Sequence, residues 1–116
     1  MTLIEQNFEM FGGDTQDLAM TVYNTDGSIK DLTDATISWA LYNEATLQIY
    51  LTKSTSSSGV TIIDAKAGTM KVSILPADTQ DLRAGPWYKY QTVVIDAGTN
   101  VSTINSGHIQ ILENII

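Results

Sequence analysis

The chain has 116 residues, 43% of them hydrophobic and 16% charged, a composition that supports one domain with its own core and excludes a disordered chain. Thirteen acidic residues against six basic ones give a net charge of −7, which repels phosphate backbones and argues against a nucleic-acid partner. The absence of cysteine excludes disulfides, thiolate metal sites and cysteine nucleophiles.

Hydrophobic residues alternate with small or polar ones along most of the chain, which is the period of a half-buried β-strand. Ile37, Trp39 and Leu41 show this pattern, and turn segments rich in glycine, asparagine and aspartate separate one such run from the next. The alternation predicts eight strands, at about Ile4–Phe11, Asp17–Tyr23, Ala35–Asn43, Gln48–Lys53, Val60–Ile63, Thr69–Leu75, Pro86–Asp96 and Val101–Leu112.

One segment, Ala77–Ala84, favours a helix. Pro76 precedes it and Gly85-Pro86 follows it, which limits the helix to one or two turns. No longer segment has a helical period, so helix-rich folds and doubly wound or barrel α/β folds are excluded. About seven to eight antiparallel strands with one short helical turn near residues 77–84 predict an all-β fold, an immunoglobulin-like β-sandwich spanning residues 1–116.

Aromatic residues at two places match that architecture. Immunoglobulin-like domains bury a tryptophan on strand C, and a tyrosine near the start of strand F donates its hydroxyl to backbone upstream. Trp39 lies in the middle of a predicted strand, and Tyr88 and Tyr90 follow the turn at Gly85-Pro86. We therefore expect Trp39 in the core and one of the two tyrosines at that corner.

Few residues could carry catalysis or hold a metal. His108 is the single histidine, which is too few for the usual zinc site, and no nucleophile elbow accompanies it. The acidic residues in or beside turns match no EF-hand spacing, and such residues ordinarily bond local backbone amides or cap a helix, as Asp78 would. They are Asp14, Asp17, Asp26, Asp31, Asp34, Asp78 and Asp81. We expect no enzymatic activity, no catalytic residue, no cofactor and no metal.

The two ends of the chain and one exposed aromatic are the candidate partner contacts. Apolar termini either pair into the domain's own sheet or reach a neighbouring molecule, so residues 1–11 and 112–116 are candidate assembly arms. The strand beginning at Pro86 has aromatics on both faces, so either both faces are buried or Trp87 lies in an interface. The predicted contacts are Leu3, Ile4, Phe8, Trp87, Ile115 and Ile116.

The amino-terminal segment lacks the basic and apolar stretches of a signal peptide. The longest apolar runs, such as Val93-Val94-Ile95, are far shorter than the ~20 residues that span a bilayer. We therefore expect no membrane insertion.

Several short motifs follow one another in an order that resembles small β-sandwich domains of tailed-phage structural proteins. These are the strand opening Asp31–Trp39, the hairpin Val60–Val72, the segment Leu75–Thr79, the corner Leu82–Tyr88 and the hairpin turn Asp96–Asn100. From about Phe11 to Leu112, the chain resembles the amino-terminal domain of phage baseplate upper proteins and related tail, fibre and head-decoration modules. The resemblance implies a structural virion protein, assembled in the bacterial host cytoplasm, that docks on other phage structural proteins as a symmetric multimer. It brings no catalytic residues and implies no small-molecule ligand.

A second interpretation remains open. A carbohydrate- or ligand-binding β-sandwich would use Trp87, Tyr50 and the polar Ser54–Gly59 loop. Loss of glycan binding on replacing Trp87 separates this interpretation from the first.

Overall fold

A computed structural model of the protein describes residues 4–5, 7–24 and 26–113. Strands make up 57% of the structure and helix 4%, which confirms the predicted all-β class. The strands form two sheets in a sandwich-like arrangement. The elements are β1 (Ile4–Glu5), β2 (Phe8–Phe11), β3 (Gln16–Thr21), β4 (Thr36–Asn43), β5 (Ile49–Ser54), β6 (Val60–Asp64), β7 (Thr69–Ile74), α1 (Pro76–Thr79), β8 (Gly85–Ile95) and β9 (Val101–Leu112).

The larger sheet has the order β1-β9-β8-β4-β5, with β2 also paired to β9. Both β1 and β2 run parallel to β9, whereas the other pairs of this sheet are antiparallel. The smaller sheet has the antiparallel order β3-β7-β6. The hairpins β4–β5, β6–β7 and β8–β9 therefore stay within one sheet, and the connections β2–β3, β3–β4, β5–β6 and β7–β8 cross between the two.

The first strand is interrupted, contrary to the single strand predicted over Ile4–Phe11. At the interruption, the side-chain Oδ1 of Asn7 accepts the backbone N–H of His108 at 2.8 Å. A local polar side chain thus takes a bond that the backbone ladder would otherwise make, which an alternation pattern cannot indicate. The other seven predicted strands are all present, with ends within two residues of the prediction.

The core lies between the sheets and is centred on aromatic residues. Trp39 on β4 is 1% exposed, which confirms its predicted burial, and Tyr90 on β8 is fully buried. Their ring centroids lie 5.7 Å apart, and the ring of Phe8 lies 6.0 Å from that of Tyr90. Rings at these separations attract one another beyond the gain from burying their surface.

The connection from β7 to β8 contains α1, which is shorter than the predicted Ala77–Ala84. Pro76 begins the helix, and the Oδ2 of Asp78 accepts the backbone N–H of Leu75 at 2.7 Å, so Asp78 does cap the helix. After one turn, the N–H of Leu82 bonds to the carbonyl of Thr79. The chain then turns toward β8, because the strand must return to the larger sheet.

The hydroxyl of Tyr88 stabilises the connection between β7 and β8 through a hydrogen bond. It donates to the carbonyl oxygen of Arg83 at 2.6 Å, which is the backbone bond predicted for one of the two tyrosines. Burial raises the pKa of Tyr88 above its ordinary value, so the hydroxyl keeps its proton through the physiological range.

We expect Tyr88→Phe to lower the free energy of unfolding by about 1 kcal/mol, because the Arg83 carbonyl loses its donor. Urea denaturation should show a lower midpoint with an unchanged slope. Tyr23→Phe is the control, since Tyr23 is 43% exposed, and its effect should stay within about 0.5 kcal/mol. Equal losses in the two variants would show that the Tyr88 hydroxyl does not hold the corner.

Candidate interaction face

The outer surface of the larger sheet carries a continuous area without charged side chains. On β4, β5 and β8 its residues alternate with more buried ones, and on β9 they pair with the outward residues of β8, so they point away from the smaller sheet. On β4 and β5 they are Thr36, Ser38, Ala40, Thr52 and Ser54. On β8 and β9 they are Gln91, Val93, Ile95, Val101, Thr103 and Ser106. We call these eleven residues the neutral face.

The backbone register aligns the neutral face in rows that cross the sheet. The rows are Thr52–Ala40–Gln91–Ser106, Ser54–Ser38–Val93–Thr103 and Thr36–Ile95–Val101. Strands are about 4.8 Å apart and successive rows about 6.8 Å apart. The neutral face therefore covers roughly 20 by 20 Å.

Side-chain size divides the neutral face into a trough and a ridge. On β4 and β5 the side chains are small, and around Ser38 and Ala40 they line a depression of about 350 Å³. On β8 they are larger, and Gln91 and Val93 of this strand form one wall of the depression. Beyond them, Ile95 on β8 is 37% exposed and Val101, at the start of β9, is 67% exposed. The trough and the ridge lie side by side on one surface.

Charged side chains lie at one end of the neutral face. Lys89 and His108 are cross-strand partners on β8 and β9. The Nε2 of His108 lies 2.9 Å from the Oε2 of Glu44, in the turn after β4. Tyr42, next to Lys89 in the register, completes this end with an aromatic ring.

The opposite end, at the turn between β8 and β9, also carries charges. The Oδ2 of Asp96 lies 3.3 Å from the Nζ of Lys30. Hydrogen bonds from Asn100, above all from its backbone N–H, and the ammonium of Lys30 lower the pKa of Asp96. Asp96 is therefore ionised down to more acidic pH than a free aspartate. An uncharged centre between charged ends is the usual composition of a protein interface.

The predicted partner contacts at the two ends of the chain are Leu3, Ile4, Phe8, Ile115 and Ile116. Leu3, Ile115 and Ile116 lie outside the residues that the structure describes. Ile4 is described through its backbone alone, which pairs with Asn105 of β9. Phe8 packs its ring toward Tyr90 and the core.

Trp87 is 42% exposed and lies outside the neutral face, beyond Lys89 on β8. The guanidinium of Arg83 stands over its indole, 5.1 Å from the ring centroid. Trp87 and Tyr50 line one cavity of about 290 Å³. The Ser54–Gly59 loop begins about 13 Å further along β5, so the residues of the ligand-binding interpretation divide between two places.

Two of the turn aspartates bond locally, as predicted. Asp26 and Asp31 each accept the backbone N–H two residues ahead, at 2.9 and 2.8 Å. Hydrogen bonds from the hydroxyl and the N–H of Ser28 lower the pKa of Asp26, and those of Thr33 do the same for Asp31. Across the described part of the chain, no three potential metal-ligating side chains come together, and no helix there has the length and hydrophobicity to span a membrane.

No protein-family model matches this sequence, and no curated protein matches it significantly. Sequence reasoning missed the neutral face as a unit, although a signal was present: on each of these strands, successive outward positions lack charge. What the sequence does not contain is the side-by-side order of the four strands.

Proposed function

We propose that the chain is a non-enzymatic structural protein of a tailed-phage particle, acting by protein–protein assembly in the baseplate, tail, neck or head. The observation that carries this proposal is the neutral face. In a chain of net charge −7, eleven outward residues on four adjacent strands are uncharged. Charged residues are depleted from the centres of interfaces, and the sequence resemblance supplies the kind of particle.

We further propose that the sandwich is of the immunoglobulin type. If β3 to β9 take the letters B, C, C′, D, E, F and G, the smaller sheet reads B-E-D and the larger one G-F-C-C′, as in variable-type domains. The buried Trp39 on strand C and the Tyr88 hydroxyl bond near the start of strand F agree with this assignment. The neutral face then lies on the G-F-C-C′ surface.

Mass spectrometry of purified phage particles tests the assembly role. The chain should copurify with the particles at a constant ratio to the major structural proteins. Val93→Glu, which places a charge in the neutral face, should reduce incorporation at least tenfold. Ile63→Glu is the matched control, because Ile63 is exposed on β6 of the other sheet, and it should incorporate normally. A chain that is abundant in the lysate and absent from particles would refute the proposal.

The ligand-binding interpretation keeps one supporting observation, the cavity shared by Trp87 and Tyr50. A sugar stacking on the indole would compete with the Arg83 guanidinium for that ring. A glycan array with the wild-type chain and Trp87→Ala distinguishes the two functions. Binding that disappears in Trp87→Ala would favour ligand recognition.

A further inference from the structure

We infer that a second copy of this chain covers the neutral face, related to the first by a two-fold axis that lies between the two faces and runs along the strands. This inference rests on the proposed function and names the partner of the same surface.

The shape of the neutral face, with a trough beside a ridge, is the observation on which the inference rests. A two-fold axis parallel to the strands exchanges left and right across the sheet, so the ridge on β8 of each copy meets the trough on β4 of the other. Such an interface uses one surface patch twice. Val93, on the ridge, would then lie in the depression around Ser38 and Ala40 of the second copy.

The residues beyond the neutral face also pair under this axis. Tyr42, Lys89 and His108 follow one another in the register, with Ile49 on the other side of Tyr42. The axis places Lys89 of each copy over Tyr42 of the other, where an ammonium is attracted to an aromatic ring. Ile49, 61% exposed, would be covered by β9 of the second copy.

Charge favours this surface over the rest of the molecule. Two copies that each carry a net charge of −7 repel one another, and the repulsion is least where the contact area contains no carboxylate. The neutral face meets that condition, whereas several other exposed segments carry aspartates.

Two of the sheet edges, at β5 and β6, are protected against pairing. Edge strands avoid association through inward-pointing charges and bulges. On β5, Lys53 points inward and is 8% exposed, and on β6 the register shifts between Ile62 and Asp64. Association through the neutral face is therefore favoured over association through these two edges.

The size of the surface sets the expected strength. The three rows of the neutral face and the adjoining row Ile49–Tyr42–Lys89–His108 together cover about 19 by 27 Å, or roughly 500 Å² on each copy. A total near 1,000 Å² lies at the lower limit for a specific interface. We therefore expect a reversible dimer with a dissociation constant in the micromolar range.

Sedimentation velocity over a wide range of concentrations tests the inference. The wild-type chain should pass from monomer to dimer as its concentration rises. Val93→Glu should weaken the dimer at least tenfold, because it brings two unpaired carboxylates into the interface, while the control Ile63→Glu should leave the dimer unchanged. A wild-type chain that stays monomeric up to millimolar concentration would overturn the inference, and so would equal weakening by both variants.

Cross-linking tests the direction of the axis. Because the chain has no native cysteine, only the introduced cysteines react. Thr52 on β5 and Ser106 on β9 lie in the same row at opposite sides of the neutral face. With the sheets about 10 Å apart, Thr52 of one copy faces Ser106 of the other, whereas the two Thr52 residues are roughly 17 Å apart. A short bismaleimide should link a mixture of Thr52→Cys and Ser106→Cys chains and should link neither variant to itself. Preferential linking of like with like would refute the proposed axis.

The inference and the proposed function can fail separately. A monomeric chain whose incorporation into particles is still abolished by Val93→Glu would mean that a different protein covers the face. The self-association would then be wrong and the assembly role would stand. A dimer with the predicted cross-links that is absent from particles would refute the phage role and leave the dimer interface in place.

Discussion

Replacing Asp78 with alanine should lower the free energy of unfolding by about 3 kcal/mol, because it leaves the buried ammonium of Lys53 without its carboxylate partner. The Nζ of Lys53 lies 2.7 Å from the Oδ2 of Asp78, with side-chain exposures of 9% and 16%. The same carboxylate accepts the N–H of Leu75 at 2.7 Å. Asp78 therefore joins the edge of the larger sheet to the connection that follows β7 of the smaller one.

The two partners of this ion pair should not be equivalent. In Lys53→Met, the carboxylate keeps the Leu75 bond and some contact with water, so we expect a loss of only about 1–2 kcal/mol. In Asp78→Ala, the ammonium and the Leu75 N–H both lose their partner. The stem of Lys53 packs closely on Gly59, where an added Cβ would fall 2.1 Å from its Cδ, which restricts its escape to solvent.

A double-mutant cycle in urea measures the coupling. Lys53→Met combined with Asp78→Ala should cost less than the sum of the single variants, by about 1–2 kcal/mol, because no unpaired charge remains. The two single variants could instead lose equal free energies of unfolding, and these losses could add in the double variant. That result would show that the ion pair does not link the two sheets.

Gly68→Ala should also lower the free energy of unfolding by about 3 kcal/mol, since it combines backbone strain with a collision. Gly68 has a φ of +66°, and a Cβ there would lie 2.7 Å from the carbonyl oxygen of Lys30 and 3.0 Å from that of Val22. The carbonyl of Gly68 also accepts the N–H of Val22 at 2.8 Å. These neighbours are backbone atoms, so a rotamer change cannot relieve the contact.

Gly27→Ala is a matched control for this substitution. Gly27 has a φ of +90° with nothing within 4 Å of an added Cβ, so only the backbone strain of about 1 kcal/mol should appear. Thermal and urea unfolding of both variants would separate the two costs, and the difference of about 2 kcal/mol measures the collision. Similar losses in the two variants would show that the segment around Val22 does not pack tightly on the β6–β7 turn.

The alternation of apolar and polar residues was enough to locate most of the strands, because each strand buries one face locally. It failed at the first strand, where the Asn7 side chain bonds to His108, one hundred and one residues away. It also overestimated the helix, because Pro76 marks the start of α1 while its end depends on the return of the chain to β8. The local bonds of Asp26 and Asp31 were predictable, since their partners lie two residues ahead.

The neutral face, too, depends partly on the local sequence and partly on the tertiary structure. The sequence by itself determined that successive outward positions on β4, β5, β8 and β9 are uncharged, because the period of two assigns most residues of a strand to a face. Only the tertiary structure decided that β5, β4, β8 and β9 lie side by side. Their order depends on hydrogen bonds between residues far apart in the chain, as in the pairing of Ala40 with Gln91. No local pattern encodes such a pairing, so the joining of eleven separate residues into one surface is a property of the folded chain.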